Sequence, residues 1–210
     1  MHIHTDISPC SRMKVDDVVR RAKARGLDGV CITDHDTMDI RHHLNEGFQD
    51  NGVLLLFGME YTTTQGDFLL FGPFETLPAH LPADSLLTTV HQAGGVAVAA
   101  HPFRRQRCLD ERLIHSGLCR AIEGLNGRNN ETENAEASAP WLKAYELAHC
   151  AGSDAHTPDE VGTLATRFFI PIASRNDLIL ALKHRMCRPE MRTPQELFAP
   201  IEAYAASVFG

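Results

Sequence analysis

The sequence predicts an α/β fold of strand–helix units around a largely parallel sheet, closed into a barrel or open. Three observations predict it. Short apolar runs such as GVCIT, VAVAA and CRAIE alternate with stretches of helical apolar spacing, which is the pattern of βα units. Most connections are long enough for the helical crossover that parallel neighbours need. Six strand candidates in a row carry His, Asp or Glu at or just past the carboxyl end, the rim where βα folds place their sites.

The elements follow in order. A first strand over 1–4 holds His2 and His4; it is unusually short, or the natural start lies upstream of Met1. The helix over 15–25 sets Val15, Val18, Val19 and Ala22 at helical spacing, and Gly26 stops it. GVCIT at 29–33 is a strand, and a helix is expected over 37–50. VLLLFGME at 53–60 and DFLLFG at 67–72 are strands, and YTTTQG between them is too short for a crossover, so they form an antiparallel hairpin. A helix over 84–93 leads to VAVAA at 96–100, and one over 110–117 precedes CRAIE at 119–123. The polar stretch GRNNETENAEAS runs into a helix over 131–149, and strands lie at 148–153 and 166–171. Helices over 175–185 and 194–207 end the chain, which reads as a single domain over 1–210 with its core over about 1–190.

Composition sets limits. With 43% hydrophobic and 22% charged residues the chain is globular rather than disordered. A net charge of −7 speaks against a general nucleic-acid coat. The longest apolar runs are too short to span a bilayer, so no membrane role is expected. The six cysteines form no C-x-x-C pair and no secreted disulfide framework, which makes the cytoplasm the expected compartment. Cys31 and Cys119 sit in or beside apolar runs and are expected to be buried. Twelve histidines is a high count and points to metal or acid–base chemistry. His42, His43, His80, His91, His115, His149 and His184 have no partners in sequence and are expected at the surface or between helices.

The histidines and carboxylates at strand ends make a different pattern. Positions i and i+2 of a strand face one side, so His2 and His4 point together as a two-imidazole bite. Asp34, His35 and Asp36 follow the second strand. Glu60 ends the third strand, Asp67 begins the next, and their symmetry about the turn sets them opposite each other. VAVAA runs into His101, CRAIE ends in Glu123, and Asp154 and His156 follow the strand near 150. A solvated loop explains any one of these but not the set. Mixed imidazole and carboxylate donors suit Zn²⁺, Mn²⁺ or Fe²⁺.

In HIHT, ITDHDT, GMEY with GDFLLFG, AHPF, IEGLNGR and GSDAH, taken in that order over residues 2–156, the chain resembles the PHP (polymerase and histidinol phosphatase) family. The resemblance implies a distorted (β/α)7 barrel whose carboxyl rim holds two or three divalent ions, Mn²⁺, Fe²⁺ or Zn²⁺, and hydrolyses phosphate esters. It implies one ion on His2, His4, Glu60 and Asp154, a second on Glu60, His101 and Asp67, and a third on His35 and His156. Two positions depart from the family pattern. Where many relatives have histidine this chain has Asp67, whose carboxylate is a harder donor and favours Mn²⁺ or Fe²⁺. After HIHT the segment Ser8-Pro9-Cys10-Ser11 lacks the usual third-ion ligand, so either Cys10 substitutes or phosphate completes the site.

The implied reaction is attack on phosphorus by a hydroxide bridging two ions. His35 or His156 protonates the leaving oxygen if no third ion ties them up, and Asp34 and Asp36 orient histidines. Arg104, Arg105 and Arg107 follow His101, Arg128 follows Glu123, and guanidinium groups suit phosphate capture, Arg104 first among them. The expected substrate is a small phosphorylated metabolite or nucleotide. The alternatives are a nuclease acting on RNA or DNA ends and an inactive metal-binding module. An amidohydrolase also starts with H-x-H on a barrel strand, but no lysine ends a strand here.

Overall fold

The computed structural model describes residues 1–129, 131–192 and 198–200. The chain is a mixed α/β fold. Its elements are α1 (Val15–Ala24), β1 (Gly29–Ile32), a short 3-10 turn (Asp39–His42), β2 (Gly47–Phe48), β3 (Leu54–Phe57), β4 (Met59–Thr63) and β5 (Gly66–Phe71). They continue with α2 (Ala83–Gln92), β6 (Val96–Ala100), α3 (Arg112–His115), β7 (Ala121–Asn126), α4 (Glu131–Ala144) and β8 (Ala148–Gly152). The last are β9 (Leu164–Phe168), α5 (Arg175–Lys183), β10 (Cys187–Arg192) and β11 (Phe198–Pro200).

The strands form three sheets, ordered β1-β3-β2, β4-β5-β6-β7-β8 and β11-β10-β9. Among the described residues no single ladder closes them into a barrel. The first two sheets meet through isolated bridges, Ile3 with Ala155 and His35 with Glu60. The expected first strand over 1–4 is therefore a bridging segment: Thr33 N donates to Ile3 O at 2.8 Å and His4 N to Ala155 O at 2.9 Å. β1 and β3 are parallel, as are β6, β7 and β8, while β4 and β5 form the expected antiparallel hairpin.

Side-chain parity along the strands decides where the site stands. Leu69 and Phe71 on β5, Val98 and Ala100 on β6, Ala121 on β7, Ala148 and Cys150 on β8, and Cys31, Leu54 and Leu56 on the other sheet share one buried apolar cluster. α5 seals it with Leu178, Ile179 and Leu182. Glu60 pairs with Leu69, so it faces the same side, and Asp67 and Glu123 share parity with Leu69 and Ala121. The carboxylates thus stand on this inner layer. The opposite faces pack against α1 through Val18 and Ala22, and against α2 through Leu86, Leu87 and Val90.

Several expectations are corrected. Residues 37–50 are not a helix: Ile40 and Leu44 are too few to make an apolar stripe, and Glu46 is taken by Arg175, whose Nη2 lies 2.6 Å from Oε2. The strand expected over 53–60 breaks at Gly58, where a Cβ would lie 2.6 Å from Leu70 O as the chain passes from one sheet to the other. β10 was not expected, since CRPEMR shows neither an apolar run nor alternation. It is a strand because β9 and β11 flank it. The helix expected over 194–207 lies outside the described residues except at 198–200, which pair as β11.

α5 begins at a local signal. The Ser174 side chain accepts a hydrogen bond from Asp177 N, and Ser174 Oγ donates to Asp177 Oδ2 at 2.8 Å. Ser174→Ala is expected to lower the unfolding free energy by about 1 kcal/mol, read by urea denaturation; an unchanged midpoint would show that the cap contributes nothing.

Candidate metal centre

Residues from five separate segments converge above the inner layer. His2 and His4 come from the bridging segment, His35 from the loop after β1, Glu60 and Asp67 from the hairpin, His101 from the end of β6, and Asp154 and His156 from beyond β8. His2, His4, Glu60, Asp67, His101 and Asp154 are all buried. Their backbone shows what this convergence requires. His2, His101 and Asp154 have φ of 65°, 31° and 50°, left-handed values that non-glycine residues adopt only under constraint.

Glu60 is the hub. Its Oε2 lies 3.2 Å from Nε2 of both His2 and His4 and 3.3 Å from His35 Nδ1, and its Oε1 lies 2.9 Å from His101 Nε2. Asp154 Oδ1 lies 3.4 Å from Nε2 of His2 and of His4, and 3.7 Å from His156 Nδ1. Asp67 Oδ2 is 3.8 Å from His101 Nε2. Four ligand-like groups result among the described residues: His2, His4 and Glu60; Glu60, Asp67 and His101; His2, His101 and Asp154; and His4, Cys10, His35 and His156. The expected metal ligands are therefore brought together. Glu60 and Asp67 are not directly opposite, however. Glu60 pairs with Leu69 and Asp67 with Thr62, so the two carboxylates are diagonal neighbours on one face.

The donor chemistry fits divalent cations. His2 Nε2 and His4 Nε2, despite their short approaches, and His4 Nδ1, Asp67 Oδ1 and His101 Nδ1 are buried without a hydrogen-bond partner. Orphaned buried polar atoms are costly unless something else satisfies them. Four buried carboxylates, Glu60, Asp67, Glu123 and Asp154, crowd the same space. Burial works to lower the His2 imidazole, but Glu123, Asp154 and Glu60 outweigh it and hold its pKa well above the ordinary value. His4 is raised against burial in the same way by Asp154 and Glu60. Burial works to raise Glu60 and Asp154. The histidines beside both, and Arg104 beside Asp154, instead hold both acids below the usual carboxylate range. The crowded carboxylates thus leave a local negative charge of the kind a divalent ion offsets.

A second layer fixes the ligands. Glu123 Oε1 lies 3.0 Å from His2 Nδ1, and Glu123 Oε2 accepts from His101 N at 3.0 Å and Asn126 Nδ2 at 2.8 Å. Gly152 makes room for this: a Cβ there would lie 2.0 Å from Glu123 Oε1 and 2.7 Å from His2 Cβ. Sequence reasoning put Glu123 on the rim but gave it no role, and Asn126, its partner, ends the same strand β7. Asp34 does not orient a histidine directly. It accepts from Thr5 N at 2.7 Å, Thr5 Oγ1 at 2.6 Å and Ser8 Oγ at 2.5 Å, pinning the chain after His4. Asp36 accepts from Thr62 N.

Two of the expected arginines reach the carboxylates. Arg104 Nη2 donates to Asp154 Oδ2 at 2.7 Å and Arg107 Nη1 to Asp67 Oδ2 at 3.1 Å, while Arg105 and Arg128 are exposed. Cys31 and Cys119 are buried as expected, and burial pushes their thiols up to about 11 and about 12. His149 corrects its expectation: it is buried on β8, and burial pushes it down to about 3.

Comparison with known proteins adds relatives and a fold. A family profile described as PHP-associated matches residues 132–187. An uncharacterized protein of Methanocaldococcus jannaschii is 28% identical over 113 residues, 49% of this chain and 66% of its own length. A second from that organism is 27% identical over 177 residues, 80% of this chain and 69% of its own length. The chain thus spans about two thirds of these relatives. PsfC from Pseudomonas syringae shares the fold with a TM-score of 0.73 at 20% identity, over 93% of this chain and 91% of PsfC. A two-domain protein from Bacteroides vulgatus containing a predicted PHP-like metal-dependent phosphoesterase aligns with a TM-score of 0.67 at 19% identity, over 99% of this chain and 67% of that one. Endonuclease Q, in complex with a duplex bearing an abasic lesion, aligns with a TM-score of 0.64 at 15% identity, over 100% of this chain and 66% of that one. The chain thus carries a PHP-associated segment at 132–187 and shares its fold with a protein containing a predicted PHP-like phosphoesterase.

Proposed function

We propose that the chain is a metal-dependent phosphoesterase acting on a small phosphorylated metabolite or nucleotide. In this reading His2, His4, Glu60, Asp67, His101, Asp154, His35 and His156 hold two or three divalent ions, Mn²⁺, Fe²⁺ or Zn²⁺. The observation that carries it is the set of buried, unpartnered imidazole and carboxylate atoms around Glu60. The ions, when bound, supply a nucleophilic water of lowered pKa and positive charge against the phosphate oxygens.

The chain's own residues do the rest. Arg104, partly exposed beside Asp154, holds its guanidinium at the mouth of the centre, where it can pair with a phosphate oxygen. Burial lowers both His35 and His156, so both stand as neutral imidazoles, the form that ligates a cation. Their other role, proton donation to the leaving oxygen, needs the protonated form. Ile3 and His35, bridging the first two sheets, support reading the fold as a distorted (β/α)7 barrel. The free state of all six cysteines supports the cytoplasm as its compartment.

A second reading, a nuclease acting on RNA or DNA ends, is favoured by the exposed Arg105 and Arg128 beside Arg104 and Arg107. A panel of phosphomonoesters and short oligonucleotides, run with Mn²⁺, Fe²⁺, Zn²⁺ and Mg²⁺ in turn, separates the two. Turnover confined to small esters is expected. Oligonucleotide cleavage with strongly salt-dependent binding would favour the nuclease, and bound metal without turnover of any ester would leave only a binding module.

A further inference from the structure

The turn Ser8-Pro9-Cys10-Ser11 has no part in the function proposed above, yet it borders the centre. Cys10 Sγ and one ring nitrogen each from His4, His35 and His156 lie within 4.8 Å of one another. A cation with metal–nitrogen bonds of about 2.1 Å and a metal–sulfur bond of about 2.3 Å holds its donors roughly 3.5 Å apart, so a contraction of about 1 Å closes the group around an ion.

The surroundings prepare that contraction. Ser8 Oγ donates to Asp34 Oδ1 and accepts from His35 N at 3.0 Å. Ser11 Oγ lies 3.0 Å from the carbonyl oxygens of both His4 and His156. Cys10 is therefore carried on a turn tied at each end to the segments that bear the histidines. His156 Nδ1 donates to Asp154 O at 2.9 Å, which leaves its Nε2 bare for a cation. Independently of the cysteine, the buried His4 ring borders this group, and its Nδ1, the nitrogen not turned toward Glu60 and Asp154, has no hydrogen-bond partner. Something that satisfies nitrogen donors belongs in the space.

We propose that Cys10 is a thiolate ligand which, with His35 and His156, holds a cation beside the carboxylate-rich centre. This rests on the reading of the rim as a metal centre. Binding releases the thiol proton and forms a metal–sulfur bond. Three protein donors leave a position open to water or to a substrate oxygen. The soft sulfur biases this position toward Zn²⁺ or Fe²⁺ over Mn²⁺, in contrast to the oxygen-rich position at Asp67.

Cobalt titration of the metal-free protein tests it. A near-ultraviolet thiolate-to-cobalt charge-transfer band is expected in the wild type. Cys10→Ser should lose that band together with one bound cobalt per chain, and Cys10→His should recover the cobalt without the band. Circular dichroism confirms that both variants fold. Cobalt binding without the band, or a band that survives in Cys10→Ser, overturns the thiolate while aryl-phosphate turnover keeps the phosphoesterase reading. No cobalt binding at all overturns both.

Discussion

Asp154→Asn is expected to lower phosphoester turnover at saturating metal by roughly 10²–10³-fold, the scale of removing one electrostatic stabiliser from a reaction centre. The reason is its position. One oxygen of Asp154 faces His2, His4 and His156, and the other receives Arg104. An amide keeps the shape but loses the charge that the proposed centre needs for a cation, and its neutral acceptor holds the Arg104 guanidinium less strongly. The fold should persist, because the apolar layer beneath is untouched. Steady-state assays on an aryl phosphate, with metal content measured on the same samples, check it. Turnover within a few-fold of wild type would remove Asp154 from the centre.

Glu123→Gln is expected to weaken metal affinity by about 10–100-fold, the usual effect of losing a partner that orients a ligand. Glu123 belongs to none of the ligand-like groups. It holds His2 by Nδ1 and His101 by its backbone N. The neutral amide no longer favours the tautomer that leaves His2 Nε2 free to bind. Gly152→Ala should reproduce the loss by a different route, since its Cβ pushes Glu123 off His2. Calorimetric titration with Mn²⁺ or Zn²⁺ measures both variants. Wild-type affinity in both would show that the Glu123–His2 contact has no bearing on the centre.

Much of the candidate site was legible because its pieces are local. The i, i+2 pairs His2/His4 and Asp154/His156, and the loop Asp34-His35-Asp36, need only the period of a strand and the rule that strand ends carry sites. What escaped the sequence was of two kinds. Glu123 and His2 are 121 residues apart, and nothing near either position signals the other. The helix expected over 37–50 failed because Glu46 is claimed by Arg175, 129 residues along the chain.

The sequence by itself determined which side chains could reach a common rim, since strand periodicity and apolar runs fix which face each residue presents. Only the tertiary structure decided how they meet. It set Glu60 diagonal to Asp67 through the hairpin register, aimed His2, His101 and Asp154 inward through left-handed backbone, and drew Cys10 against His35 and His156. These outcomes depend on contacts between distant segments, and local preference opposes some of them: a left-handed histidine or aspartate is unfavourable alone and persists only where surrounding bonds outweigh its cost.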